Sequence, residues 1–284
     1  MPADEFDVDA WLRRIGHDGP RVPELSTLRT VIAAHTATIP FENIDVLLGR
    51  PPKLDLPTLQ RKMIAGGRGG YCFEQNTVLL AGLGALGFSV EGLLARVIRG
   101  MAADAARPAT HMVVRVELPE GLFLADVGYG NQTPTAPLAM CPGIEQETPH
   151  EIMRLWAVGD ELTLQVKLGD DWQNIYRLSP HPRLAEDYEV ANWFTATHPA
   201  SPFVSNLIVA RPGNGRARHT LFNGAMTVRR PGDQPERSKL ETAAELRATL
   251  DGTFGLKLSD ADLSDALAAL DRHGTRGAWH PFFS

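Results

Sequence analysis

The run Gly66-Gly67-Arg68-Gly69-Gly70-Tyr71-Cys72 constrains this chain more than any other stretch, because four glycines crowded around one arginine permit a tight, closely approached turn. A helical pattern follows at once. Leu79, Leu83 and Leu86 share a face, Val78 and Leu80 widen it, and Gly87 is a stop signal, although Gly82 and Gly84 weaken the helix between. Cys72 is therefore expected in the first helical turn, where unpaired N–H groups and the positive end of the macrodipole favour a thiolate. A small buried hydrophobe is the competing reading of a lone cysteine.

A nucleophilic thiol needs a base, and the base needs an orienting group. His111 and Asp126 meet this requirement on two alternating segments joined by Leu118-Pro119-Glu120-Gly121. If Leu118 faces Gly121, then Val113 faces Asp126 and His111 faces Gly128. His111 and Asp126 then lie diagonally on one face of the sheet, and a one-residue slip would separate them. Asp126 follows the apolar run Leu122-Phe123-Leu124-Ala125, so its carboxylate is expected near a core and in need of a partner.

The rest of the chain supplies a scaffold. Stripes over Phe6 to Ile15, Leu25 to Ile32 and Leu56 to Met63 predict three more helices before the cysteine, the second ending before Pro40 and the third capped by Asp55. From residue 88 the period becomes two. Val90 to Ile98, His111 to Leu118, Leu122 to Val127, Ile152 to Val158, Leu162 to Leu168 and Trp172 to Leu178 read as strands without intervening helices, which predicts an antiparallel barrel or sandwich. Phe203 to Ala210 and Arg218 to Arg230 read as strands, and Glu241 to Leu250 and Ser259 to Leu270 as helices. The expectation is an α+β chain: a helical bundle (1–88), a central antiparallel β-barrel (89–195) and a C-terminal α/β lid (196–284).

With 284 residues, 43% of them hydrophobic, the chain is long enough for two or three cores. A net charge of −6 without a run of Lys or Arg argues against nucleic-acid binding. An acidic start (Met1 to Asp7) lacks the order of a signal peptide, and no apolar run approaches membrane-spanning length, so a cytoplasmic protein without a membrane partner is expected. Cys72 and Cys141 are then two independent thiols. No HExxH, paired CxxC or His/Cys cluster points to a metal, and neither glycine run fits a nucleotide fingerprint. Among the other histidines, His17, His150, His181, His273 and His280 sit at turns, prolines or the end, while His35, His198 and His219 have more suggestive neighbours.

Together these residues resemble the arylamine N-acetyltransferase family. Arg68 to Asn76 looks like its nucleophile signature, Thr110-His111-Met112 like its histidine strand and Ala125 to Gly130 like its aspartate segment. Ile39 to Asn43 resembles its N-terminal motif, and Asn192-Trp193-Phe194 through Pro202-Phe203 its third-domain entry. The resemblance implies a cysteine-protease-like core in which Cys72, His111 and Asp126 form the triad. It also implies acetyl-CoA as acyl donor, a ping-pong transfer through a Cys72 thioester, and an arylamine or arylhydrazine acceptor, in a monomer or homodimer. Phe41, Tyr129 and Phe203 are the substrate-binding candidates by that resemblance. Thr110, Gly128, Gly130, Arg218 and His219 are the candidates for holding coenzyme A, with Arg216 and Lys239 beside the last two. Arg68 and Glu42 are read as an internal ion pair and Glu74 as a partner of the helix dipole. Three other readings share the same residues: a thiol hydrolase of transglutaminase type, an amide synthase closing a polyketide chain, and a small-molecule-binding protein with an inert thiol.

Overall fold

The computed structural model describes residues 6–278. Helices α1 (Val8–Ile15), α2 (Leu25–Thr38), α3 (Ile44–Leu47) and α4 (Leu56–Leu59) precede the long α5 (Cys72–Ala85). α1 begins where the Asp7 side chain caps Ala10 N–H and ends at Gly16, whose φ of 70° lets the chain leave in the left-handed region. It buries Trp11, Leu12 and Ile15 against Leu28, Val31 and Ile32 of α2 and Val78, Leu79 and Leu83 of α5. α2 continues to Thr38, two residues before Pro40, and so runs beyond the expected stripe. The third expected helix is real but not uniform: after α4 the chain widens into a π-helix over Gln60–Ala65.

Eight strands form the central sheet: β2 (Ser89–Val97), β3 (His111–Leu118), β4 (Gly121–Ala125), β5 (Leu138–Ala139), β6 (Gln146–Glu147), β7 (Ile152–Val158), β8 (Glu161–Leu168) and β9 (Asp171–Leu178). Their order, β5-β4-β3-β2-β9-β8-β7-β6, is antiparallel throughout. The two ends meet where the Gln146 amide bonds both the N–H (2.7 Å) and the carbonyl (2.9 Å) of Ala139, so the sheet is a nearly closed barrel. Leu93, Val113, Leu124, Leu155, Leu164 and Tyr176 fill its interior. The pairing of β3 with β4, Leu118 opposite Gly121 and Val114 opposite Ala125, is the register expected from the sequence.

A second sheet has the order β1-β10-β11-β12-β13, from β1 (Phe41–Glu42), β10 (Ile208–Pro212), β11 (Arg218–Phe222), β12 (Ala225–Arg229) and β13 (Glu236–Lys239). The helices α7 (Ala243–Gly252) and α8 (Asp260–His273) pack on it through Leu246, Leu250, Leu263 and Leu270. Three expectations need correction here. The strand expected over 203–210 starts as a 3-10 turn, Pro202–Val204, because Ser201 caps it and the Asn43 amide ties the Phe203 and Asn206 carbonyls. The strand expected over 218–230 is a hairpin, turned at Asn223-Gly224, both with positive φ (52° and 91°), the residue pair that a tight two-residue turn demands. Finally, α6 (Ala185–Thr197) is a helix where none was expected, and the boundary expected between 195 and 196 falls inside it.

Candidate active site

The glycine turn is clamped from three sides. Gly70 N–H donates to the Pro40 carbonyl (3.4 Å), Glu42 N–H to the Gly70 carbonyl (3.1 Å), and the Gln75 side-chain amide to both carbonyls (3.0 and 3.2 Å). Only Gly67 has a positive φ in this run (65°); at Gly69 the reason for glycine is proximity, since a Cβ there would lie 2.2 Å from the Pro40 oxygen. Beneath the turn five charged groups interlock. Arg68 Nε donates to Glu42 at 2.9 Å, and Lys62 Nζ, carried by the π-helix, reaches Asp45 at 2.6 Å and Glu74 at 2.7 Å. Glu74 in turn accepts the Tyr71 N–H at 3.2 Å, which fixes the residue before Cys72. Burial, eased by Lys62 and reinforced by Glu42 and Asp45, pushes the Glu74 carboxyl up to about 7. The expected Arg68–Glu42 pair is present; Lys62 is a member that sequence reasoning missed.

Cys72 opens α5 and is almost completely buried, its Sγ 3.8 Å from the Thr110 carbonyl. His111 Nε2 lies 2.8 Å from Asp126 Oδ2, and a hydrogen bond from the same imidazole links it to Cys72. Burial alone would push the His111 ring down, but the Asp126 carboxylate and the Cys72 contact outweigh it and raise it to about 10. Burial likewise opposes charge on Asp126, yet His111, the Asn76 amide (2.9 Å) and the Gly128 N–H (2.8 Å) hold its carboxyl below the usual carboxylate range.

Asn76 was not singled out from the sequence, although its position four residues after Cys72, on the same helical face, was a usable signal. Its Nδ2 also donates to the Met112 carbonyl (2.7 Å) and its Oδ1 accepts the Val127 N–H (3.1 Å), so it joins α5, β3 and the aspartate segment. Tyr176 from β9, also unforeseen, packs its ring on His111 with centroids 4.9 Å apart, and Tyr129 packs edge-on at 5.4 Å.

Cys72, Thr110, His111, Gly128, Tyr129, Phe41 and Phe203 all border one cavity of about 360 Å³. Phe194 of α6 and Arg99 and Arg107 of the segment between β2 and β3 complete walls that the sequence did not reveal. The two aspartate-segment glycines admit protein neighbours: a Cβ on Gly128 would lie 2.7 Å from the Cys72 Cα, and one on Gly130 3.3 Å from the Phe41 ring. Gly130 does not border the cavity. A larger cavity of about 920 Å³ adjoins the first at Arg99, Met101 and Asn131, and Lys167, Arg216, Arg218, Arg229 and Arg230 line it. Arg218 is there, buried and paired with Glu151 through Nε at 2.8 Å, while its Nη1 has no hydrogen-bond partner. His219 is not: alternation along β11 turns it to the opposite face, into a separate hollow beside Gly213 and Arg211. Lys239, also expected near the coenzyme, is exposed on β13 and borders neither cavity.

The remaining residues of interest have structural partners. His35 is buried between the Trp11 indole (3.4 Å) and the Gln75 side chain (2.9 Å), and His198 stacks on Phe194 at 4.4 Å. Both cysteines are free thiols, Cys141 being exposed. His280 lies outside the described residues. Among the described residues no group of three His, Cys, Asp or Glu side chains is arranged to hold a metal, and no helix is long and apolar enough to cross a membrane.

Known proteins match the chain over nearly its whole length. A family model described as N-acetyltransferase matches residues 24–263. The arylamine N-acetyltransferase of Mycolicibacterium smegmatis is 41% identical over 259 residues, covering 90% of this chain and 94% of the relative. That of Escherichia coli strain K12 is 37% identical over 277 residues, 95% of this chain and 98% of the relative. The solved structure of the Mycobacterium marinum arylamine N-acetyltransferase in complex with CoA superimposes with a TM-score of 0.87 at 38% identity, covering 94% of this chain and 99% of that one. With that agreement of sequence and fold around the buried cysteine, the chain belongs to the arylamine N-acetyltransferase family.

Proposed function

We propose that this acetyltransferase works by a ping-pong exchange through Cys72, and the observation that supports it most is the meeting of Cys72 and His111 at one largely apolar cavity, with Asp126 buried behind the imidazole. In this reading residues 1–88 supply the nucleophile, 89–195 the histidine and aspartate, and 196–284 the cover.

Cys72 Sγ attacks the thioester carbonyl of acetyl-CoA as His111 holds the thiol proton. Asp126 keeps the imidazole oriented and matches its positive charge. The N–H groups of Cys72 and Phe73, which have no acceptor within their own helix, face the oxyanion of the tetrahedral intermediate. Collapse breaks the carbon–sulfur bond to coenzyme A, whose thiolate takes the proton from His111, and leaves acetyl-Cys72. An aromatic amine or hydrazine then attacks the acetyl carbonyl, His111 accepts the nitrogen proton, and Cys72 leaves as the thiolate of a restored pair. Phe41, Tyr129, Phe194 and Phe203 exclude water, which would otherwise hydrolyse the acyl-enzyme.

The coenzyme phosphates fit the adjoining arginine-lined cavity. Burial and mutual repulsion with Arg99 and Arg237 weaken the hold of Arg229 on its proton, so bound phosphate would relieve a standing repulsion. Arg218 also borders that cavity, its guanidinium held by Glu151. His219, on the far face of β11, takes no part.

Intact mass after mixing with acetyl-CoA tests the reading. One acetyl group on the wild-type chain, discharged by an aromatic amine, is expected, and none on Cys72→Ala at equal folding. Discharge to acetate at the same rate without amine would favour the hydrolase instead.

A further inference from the structure

On the far face of β11, where α2, the β10–β11 hairpin and the end of α7 meet, a hollow of about 590 Å³ opens beside His219. Its charged lining is Arg211 and Arg230, and no carboxylate among the described residues borders it, on a chain of net charge −6. Arg211 is half-buried and donates to the Phe254 carbonyl at 3.3 Å; burial weakens its hold on its proton, and no carboxylate offsets the effect. Its charge is felt on both sides. With burial, it weakens the proton hold of Arg14, the side chain that fastens the Met63 and Gly67 carbonyls (3.0 and 3.1 Å). Burial, Arg211 and Arg230 likewise push the His219 ring below the usual histidine range, against the pull of Glu236, the ion-pair partner of Arg230. The hollow is separate from the arginine-lined cavity. His150 borders both and stands between them, its ring tied to Thr135 Oγ1 and to the Gly213 carbonyl, each at 3.1 Å. Of the two spaces, Arg211 borders the hollow alone, Arg229 the arginine-lined cavity alone, and Arg230 both.

A half-buried guanidinium without a counter-charge, beside a second one, calls for an anion. A carboxylate has two oxygens and is satisfied by one guanidinium fork. The head of a phosphate monoester offers three terminal oxygens and close to two charges, enough for both forks, and its ester substituent fits the room that the small Thr36 and Ala37 side chains of α2 leave open. We infer that this hollow is a second anion site, distinct from the coenzyme's, which takes a phosphate monoester between Arg211 and Arg230. A dianion there supplies the missing counter-charge where α1, α2 and the second sheet come together and where Arg14 and Arg211 repel. Nothing in the inference uses Cys72, so it stands apart from the acyl-transfer reading.

The test titrates the whole chain with methyl phosphate near neutral pH and follows the ring signals of His219 by NMR, assigned by their loss in His219→Gln. A saturable shift is expected in the wild type, with the same midpoint in Arg229→Gln. The midpoint should rise by at least about tenfold in Arg211→Gln, the loss of one hydrogen bond to a charged group. Ala37→Glu, at an exposed position in the last turn of α2, sets a carboxylate at the rim without disturbing a buried contact, and should raise the midpoint at least as far. Acetate should need about tenfold more than methyl phosphate, since it engages one fork in place of two. No shift at His219, or a midpoint that moves in Arg229→Gln but in neither Arg211→Gln nor Ala37→Glu, overturns the inference. Equal midpoints for acetate overturn the assignment of a phosphate. Inorganic phosphate saturating the signal at about tenfold lower concentration than methyl phosphate would make free phosphate the occupant and overturn the monoester.

Discussion

Asp126 is the residue whose environment leaves it least freedom. It is fully buried, and its two oxygens are divided between His111 on one side and Asn76 and the Gly128 N–H on the other. Asp126→Asn keeps the size and removes the charge that makes His111 hold a proton, so acetylation of Cys72, followed as a single turnover with acetyl-CoA, should slow by roughly 10²- to 10⁴-fold. Breaking a buried charge pair from one side should also cost about 3 kcal/mol, readable by urea unfolding. Full activity in the Asn variant would remove Asp126 from the mechanism. The pairing of His111 with Asp126 was legible in the sequence because a short turn fixes the register of two adjacent strands. Tyr176 was not, since nothing local says that β9 returns to lie beside β2. Arg99 and Arg107 were hidden for a different reason: they sit in a segment without periodicity, positioned by side chains reaching to its carbonyls from β2 and β9.

At the scale of elements, the site depends on how closely the aspartate segment and the start of α5 approach each other. Gly128 is the point of contact, where a methyl group would meet the Cys72 backbone at 2.7 Å and the Asn76 amide at 2.8 Å. Gly128→Ala should therefore displace the nucleophile relative to His111 and lower the single-turnover acetylation rate by about 10²-fold, the penalty of a misplacement near 1 Å. An unimpaired rate would show that α5 yields without consequence. The charged cluster under the glycine turn fixes the same helix from below. Lys62→Met leaves Glu42, Asp45 and Glu74 with Arg68 as their one remaining cation in the cluster, and should cost about 3–5 kcal/mol by denaturant unfolding. Helix starts and strand runs were readable here because caps and periods are local. α6 escaped because Val190 and Trp193, its most conspicuous apolar residues, are 67% and 64% exposed, so hydrophobicity does not mark its buried face. That face is chosen by polar ties instead: the Tyr71 hydroxyl to the Asn192 side chain, and Asn192 Nδ2 to the Pro52 carbonyl at 2.9 Å.

For the molecule as a whole, three buried groups make stability depend on pH in opposing ways. His35 is held neutral, burial pushing it from 6.5 to about 4; its contribution is complete above 6.5 and lost as pH falls through 4. Glu74 is raised by burial from 4.5 to about 7, so its contribution is complete below 4.5 and lost as pH rises through 7. His111 is raised from 6.5 to about 10 by Asp126 against its burial, and its contribution is complete below 6.5 and lost as pH rises through 10. From 4.5 to 6.5, then, His35 gains with pH what Glu74 loses, and the two slopes, each at most about 1.4 kcal/mol per pH unit, nearly cancel. Above 7 only the loss from His111 continues. Thermal unfolding followed across this range should therefore give a plateau from about pH 4.5 to 6.5 and a decline from 7 to 10. Glu74→Gln, which keeps an oxygen for the Tyr71 N–H and an amide beside Lys62, should convert the plateau into a rise. Asp126→Asn should flatten the decline, because without the carboxylate His111 has no reason to hold its proton beyond the ordinary histidine range. A plateau that persists in Glu74→Gln would mean that His35 is not the opposing group, and a decline that persists in Asp126→Asn would mean that the alkaline loss arises away from the catalytic cavity.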